Sequence, residues 1–519
     1  MAAKVPPVVI TFGGGVNSRK RPADIELDEC VSGENFDLDL QQKSLRTRRP
    51  FDYVATTTNA AEIRGFGQLI TRAGIISTLI QSGDTVYEWD GDTTFTSVGT
   101  VSASSRLRGP KEHNFTLSDT LILTDIEKME VVKSWDGTTF QDFAHNITSV
   151  NLYAKYARVA HERLFLGNIT TNSTATPHMI VASEIETAET LSISDKPSSA
   201  LGLDSPFYIL TPDLKSINGL EFGFGQFIIS TSEGRIFILQ GTNAFDFQMQ
   251  DFYDGSAVAG NEGLLNIGND IAMGLNGRIE SLSGTINFGD VETDDATGPI
   301  KAEVKNIEAW TLAYDQRAQQ VFAFPSNGGF VWVFHKAMVG TGLSPWSKWT
   351  TAHDIDFAPS TVFSIIDPTT SLRTVFMGDL SGNIYRLNGS NDQDGDTDDI
   401  TVKRKSKLIR IDAKADLFNV TGWVDYRKLT ATSLSLTFMW GGHEYGSKSL
   451  TFPLSTSDFP VYNGEVYYNG EFYYSGTFQI ELRRQDFAPA GRGNYLQVEA
   501  EFTGEAGIEE IGLHIEAAQ

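Results

Sequence analysis

Apolar residues in this chain come in short runs, and most of those runs alternate with polar residues at a period of two. "GQFIISTSEGRIFILQG" (Gly225 to Gly241) sets two such runs on either side of Ser232–Gly234. "QQVFAFPSNGGFVWVFHK" repeats the design around Ser326–Gly329, and "TVFMGDLSGNIYRL" repeats it around Asp379–Gly382. Alternation bounded by Gly, Asn, Asp and Ser predicts hairpins. "VKNIEAWTLAYDQRAQQ" spaces Ile307, Trp310 and Tyr314 at near-helical intervals, but Asp315–Arg317 also suits a hairpin turn, and the segment reads mostly as strand. The pattern as a whole predicts an all-β chain.

Two stretches say nearly the same thing: "YEWDGDTTF" (Tyr87 to Phe95) and "KSWDGTTF" (Lys133 to Phe140). In the second, Asp136–Gly137 supplies a turn and Trp135 and Phe140 straddle it as cross-strand partners. That is a structural echo between repeated units, not a catalytic motif. Hairpin units recur about every 40–50 residues, close to the size of a four-stranded propeller blade. They fall near 65–100, 115–145, 155–185, 215–250, 262–300, 308–352 and 360–390. The expectation is a β-propeller of about seven blades, whose blades stack to cover one another's faces.

"NGSNDQDGDTDDI" then breaks the pattern, and longer strand-like runs follow, among them "SKLIRIDA", "SLSLTFMW" and "NYLQVEAEF". They predict a C-terminal β-sandwich-like domain. The expected organisation is residues 1–60 as an N-terminal extended arm with first strands, 61–395 as propeller and 396–519 as the sandwich-like domain.

Composition narrows the picture. A chain of 519 residues is too long for one simple core. No stretch approaches about 18 consecutive apolar residues, so no membrane span is expected. The start, "MAAKVPPVVITF", does not read as a secretory signal. Cys30 stands alone, so no intrachain disulfide is possible and folding in a reducing cytosol fits. The net charge of −25 repels a nucleic-acid backbone, and it suits either the plain solubility of a large protein or a surface that DNA slides past. Residues 1–50 depart from it, with eight Lys and Arg against seven Asp and Glu, which suits either docking on an acidic neighbour or a strand at the edge of a sheet.

Candidate chemistry is sparse. The eight histidines are scattered, and "HDID" (His353 to Asp356) sets one beside two aspartates. There is no HExxH, P-loop, dinucleotide-binding glycine pattern or GxSxG. The reading is therefore no enzyme, with no catalytic, cofactor-binding or metal residues. Asp392, Asp394, Asp396 and Asp398 alternate around Gly395, yet an EF-hand register would put Thr401 where a bidentate acid belongs. A solvated acidic linker is the expectation there. In "VYNGEVYYNGEFYYSG", Tyr462, Tyr467, Tyr468, Tyr473 and Tyr474 form either a cross-strand ladder or an exposed contact surface.

The leader "FGGGVNSRKRPADIELDECVSGENFDLDLQQKSLRTRRPF" resembles the opening of nozzle or tail-hub stabilisation proteins from short-tailed bacteriophages. The matching positions are Gly15, Asn17, Arg19, Pro22, Glu34, Asn35, Asp37, Asp39, Arg46, Arg48 and Arg49. Weaker phrases continue it, "HERLFLG" (His161 to Gly167) and "SPWSKW" (Ser344 to Trp349) among them. The resemblance implies a virion tail protein made in the bacterial host cytoplasm. It implies a homo-oligomeric ring, expected as a hexamer, beneath the portal and its adaptor ring. Tail fibres or spikes would be partners, and viral DNA would pass through the channel without sequence-specific binding. Asn17, Arg19, Arg46, Arg48 and Arg49 are the candidate assembly residues of the leader. Two other readings stay open: a receptor- or carbohydrate-binding propeller at the tail periphery, and a carbohydrate-cleaving propeller, which needs two positioned carboxylates.

Overall fold

The computed structural model describes residues 8–517 apart from 39–42, 111–118, 149, 173, 224, 261, 269, 283–294, 352–360, 390–392, 396, 411–417, 429–432, 441–446, 454–466, 469–470, 473–482, 488–489 and 492–494. Regular structure among the described residues is nearly all strand, with only one-turn helices such as Lys301–Val304. No helix among them is long and apolar enough to cross a membrane. The chain divides into two compact units. A meander unit takes Phe51–Val331 and Ile355–Leu387, and a composite unit takes Met1–Pro50, Trp332–Asp354 and Asn388–Gln519.

The meander unit is propeller-like: a series of antiparallel meanders of strands mostly consecutive in the chain, the first two joined by a parallel pairing of Arg108 with Phe66. The first sheet runs Ile63–Ile70, Ile76–Ser82, Thr85–Trp89 and Phe95–Thr100. The second holds Leu107–Arg108, Leu121–Asp125, Lys133–Trp135 and Phe140–Asp142, and the third is built on Leu152–Ala160, Arg163–Thr171 and Thr174–Glu184. The fourth spans Ile217–Gly223 to Gln248–Asp254, and the fifth Leu264–Asn266 to Arg278–Ser281. The sixth contributes the hairpin Trp310–Asp315 with Gln320–Pro325, so the ambiguous helix candidate is strand, as read. The last sheet pairs Thr361–Ile366, Arg373–Gly378 and Asn383–Arg386, and its outer partner is Asp52–Thr56, drawn from the start of the unit.

Each sheet hides its faces against its neighbours. Leu69, Leu79 and Val86 of the first pack on Leu107, Leu121 and Trp135 of the second. Ile122 and Val132 meet Leu164 and Leu166 of the third, and Phe165 meets Phe227 and Phe237 of the fourth. Ile228 and Ile236 pack on Leu264 and Met273 of the fifth. Trp310 of the sixth donates from Nε1 to the Leu275 carbonyl, 2.9 Å, and strand Trp310–Asp315 lies against Thr361–Ile366 of the last. That last sheet returns to the first, Phe363 and Phe376 packing on Phe66 and Trp89. The order of packing therefore closes on itself. The aromatic and β-branched runs that looked like hairpins are the layers of this stack, buried on both faces.

The repeated phrase has the geometry the spacing predicts. Trp135 pairs with Phe140 and Trp89 with Phe95 across their turns, and both tryptophans are buried. Asp136 Oδ1 accepts from the amides of Thr138 and Thr139 at 2.8 and 2.7 Å, and Asp90 does the same for Asp92 and Thr94. These are Asx turns, the ordinary duty of Asp before Gly.

The composite unit holds two sheets. In one, Val8–Ile10 and Leu45–Thr47 both pair with Ala506–Ala517, which also pairs with Phe418–Lys428. In the other, the order is Trp346–Trp349, Cys30–Glu34, Thr401–Ser406, Tyr495–Thr503, Ser433–Trp440 and Ser447–Pro453. Residues 8–50 are thus not an extended arm. Their strands are integral to the sheets that the C-terminal third builds, because short strands leave backbone groups that only a neighbour can satisfy. The unit boundaries accordingly fall at 50/51, 331/332, 354/355 and 387/388, where sequence character suggested 60 and 395.

Candidate functional sites: an aromatic-walled cavity and a leader network

The meander unit forms a half-open cavity of about 350 Å³ lined by the leading strands of five sheets. Its walls carry Phe66, Phe222, Tyr314 and Phe363, with Phe66 and Phe363 stacked at 4.8 Å. The polar groups around it are occupied by the fold itself. Gln68 accepts from the Ile366 amide at 2.9 Å and donates to the Ile366 carbonyl at 2.6 Å. Asn266 donates to the Phe222 carbonyl at 2.8 Å and accepts from the Gly268 amide at 2.8 Å. Each amide clamps one sheet to the next.

Two ion pairs, one buried and one half-buried, cross between sheets beside this cavity. Arg158 of the third sheet donates to Glu221 of the fourth at 3.3 Å. Arg108 of the second pairs with Glu262, next to the fifth, and lies 5.1 Å over the Phe66 ring. Such pairs add little net stability, but loss of one partner strands a charge in the interior. Beside them a void of about 30 Å³ reaches Tyr156, whose buried hydroxyl has no hydrogen-bond partner among the described residues. Burial pushes that phenol well above its ordinary range. The void has room for an ordered water.

In the composite unit the leader motif becomes a network. Gly15 donates to the Ser344 carbonyl at 2.7 Å, and Val16 donates to the Trp346 carbonyl at 2.8 Å. A Cβ at Gly15 would stand 2.0 Å from that Trp346 oxygen, so only glycine fits. Asn17 is buried and donates to both oxygens of Glu29, at 3.0 and 2.9 Å; Glu29 in turn accepts from the Ser344 amide at 2.8 Å. Asn35 sits at φ 61°, a left-handed conformation that Asn tolerates better than most residues. Its side chain donates to Thr350 Oγ1 and the Thr401 carbonyl, both at 3.0 Å, and accepts from the Thr350 amide at 2.7 Å and from Arg48 Nε at 3.1 Å.

Arg48 is the centre of that network. Fully buried, it makes a two-pronged pair with Asp394, Nη1 to Oδ1 at 2.9 Å, and donates to the Thr350 carbonyl at 2.7 Å. Its guanidinium lies 5.5 Å over Trp349. This is the planar, bidentate site for which Arg is suited and Lys is not. "SPWSKW", quoted with the leader for family likeness, proves to be its packing partner.

The structure therefore separates the five leader candidates. Asn17 and Arg48 are buried structural residues, Arg19 and Arg49 are exposed, and Arg46 is half-buried with Nε on Ser44 Oγ at 2.9 Å. The acidic segment read as solvated is in part interior: Gln393–Asp394 pairs with Asp398–Asp399 and carries the buried Asp394 to Arg48. Asp392 and Asp396 lie outside the described residues, as do His353, Tyr462, Tyr473 and Tyr474. Tyr467 and Tyr468 pair through their backbones with Phe472 and Glu471. Among the described residues no three His, Cys, Asp or Glu side chains converge as a metal site would require. Sequence reasoning missed Glu262, Arg108 and the partner of Arg48; each is a lone charge whose partner is distant in the chain.

No family model and no curated protein matches this chain. Solved structures similar to it include the computationally designed Ika8 protein, at 13% identity over 65% of this chain and 99% of that one, TM-score 0.36. YCF48 bound to D1 peptide matches at 11% identity over 69% and 98%, TM-score 0.42. The WD40 domain of coronin from Toxoplasma gondii matches at 11% identity over 70% and 90%, TM-score 0.36. At these scores the likeness carries no argument, and the fold rests on the sheet topology described above.

Proposed function

We propose that this chain is a structural subunit of a short bacteriophage tail, a nozzle or hub protein. In this reading its meander unit is a closed propeller of about seven blades, and copies assemble as a ring, expected as a hexamer, beneath portal and adaptor. The observation that carries the proposal is the leader network. Four of the eleven positions on which the family resemblance rests, Gly15, Asn17, Asn35 and Arg48, bind the leader to Ser344–Thr350 and Asp394. The DNA passage belongs between subunits in this scheme. A cavity of about 350 Å³ beside inter-sheet ion pairs is the size of a small-molecule pocket, not a conduit for nucleic acid.

Negative-stain electron microscopy of the purified chain at high concentration, with mass measured in parallel, tests the proposal. Closed rings with an axial channel are expected; dispersed monomers or trimers count against it. The aromatic-walled cavity favours a second reading, a carbohydrate-binding propeller. Glycan-array binding by a monomer, lost on Phe222→Ala, would replace the ring proposal with that one.

A further inference from the structure

The molecule is acidic, yet its composite unit carries one strip of opposite sign. Residues 401–410, "TVKRKSKLIR", hold five Lys and Arg and no Asp or Glu. Arg404 is buried over Phe12 and Phe36, so its cation is used internally. Lys403 pairs with Glu501 at 3.3 Å. Lys405 and Lys407 are half-buried and have no ion pair among the described residues; Glu499 stands opposite Lys405 in register. The leader adds to the strip. Leu408 donates to the Pro22 carbonyl at 2.8 Å, which seats the turn Arg19–Lys20–Arg21 beside Lys407. Asn17 Oδ1 accepts from the amides of Arg19 and Lys20 at 3.3 and 3.4 Å and so shapes that turn. All three cations are exposed and without an ion pair among the described residues; the exposed Asp24 and Glu26 lie further along the same loop.

Five cations left unpaired on a chain of net charge −25 call for an anionic partner. The sequence itself contains one. The meander unit holds 38 Asp and Glu against 19 Lys and Arg, whereas the composite unit holds 28 against 22. We propose that Arg19, Lys20, Arg21, Lys405 and Lys407 form a docking surface for the acidic meander unit of a second copy of this chain. The contact is heterologous, one unit of each copy meeting the other unit of the next, which is the geometry that closes rings. Opposite charge sets its association rate and its register more than its area does. This inference deepens the ring reading and rests on it for the closure, but not for the contact.

The test is mass photometry of the full-length chain and of R19E/K20E/R21E/K405E/K407E across a salt series, with a duplex-DNA binding assay on both. A thermal melt verifies that the variant is folded, and K405Q/K407Q serves as the gentler variant. The expected result is association of the wild type at about 0.05 M salt that weakens at least tenfold by about 0.5 M, as screening shortens from roughly 14 to roughly 4 Å. The fivefold reversal should abolish it and the double neutralisation should weaken it. Unchanged rings in the variant would overturn the docking surface while leaving the ring reading intact. Salt-sensitive dimers, lost in the variant but never closing into rings, would support the surface and remove the ring. Wild-type chain that stays monomeric throughout overturns both. DNA binding that is lost in the variant while assembly is unchanged would reassign the strip to nucleic acid.

Discussion

The two units of this molecule solve the same problem, covering β-sheet faces, with opposite use of the chain. In the meander unit a strand finds its partners among its neighbours, and the pairing of Trp135 with Phe140 is typical. In the composite unit Val8 pairs with Leu513, and Arg48 reaches an aspartate 346 residues away. The first unit is held by repeated apolar layers, each modest and replaceable. The second is held by a few buried polar joints that fix which distant segments belong together. Local architecture distributes its stability, and composite architecture concentrates it.

That contrast can be broken experimentally, starting with the largest effect. Arg48→Ala leaves Asp394 buried without its partner and should cost about 3–5 kcal/mol. Hydrogen exchange should then show the sheets of the composite unit opening while the meander unit keeps its protection; uniform loss in both would refute the separation. Leu166→Ala, in the core between the second and third sheets, should cost about 2–5 kcal/mol. Protection should fall mainly in the meander unit, with the composite unit unaffected.

A smaller effect separates the units by pH. His335 is fully buried, and burial holds its pKa below the ordinary value although Asp37, 3.4 Å away, pulls the other way. Its folded form favours neutral imidazole, so the unfolded chain binds the proton first. Stability from this group is complete above about pH 6.5 and is lost as pH falls below it. His335→Gln, which can keep a bond to Ser347, should flatten the pH dependence of composite-unit opening between about pH 7 and 5. An unaltered slope would show that His335 is not its source. Smallest of all, Asp136→Ala should cost about 1 kcal/mol through its two lost turn bonds, read as a shift in denaturant midpoint. Thr138 and its neighbours hold the Asp136 carboxyl below its usual range, so wild type and variant should converge as pH falls through the carboxylate region.

How much of this was legible beforehand follows the same division. The strands of the meander unit fall within or beside the windows read from hairpin spacing, because period-two alternation and Asp-Gly turns are local signals. The duplicated Trp-Asp-Gly phrase announced its own cross-strand pair. The leader's motif marked Asn17 and Arg48, which the fold buries, together with Arg19 and Arg49, which it leaves exposed, and nothing near Asn35 or Arg48 names Thr350 or Asp394 as a partner. Asp394 sat in a run of five acids that reads as solvent-exposed, and only the fold singles it out. The basic strip at 401–410 was visible in the sequence; its exposure beside Arg19–Arg21 was not.

The pairing of Val8–Ile10 with Ala506–Ala517 also sets a schedule for biosynthesis. At about 5–20 residues per second, the ribosome needs roughly 25–100 s to deliver the second strand after the first. Asp52–Thr56 waits similarly for Asn383–Arg386. Throughout that interval the leader's strands stand as open edges in the cell, so their shortness and their charged residues protect the nascent chain before they ever serve the finished one.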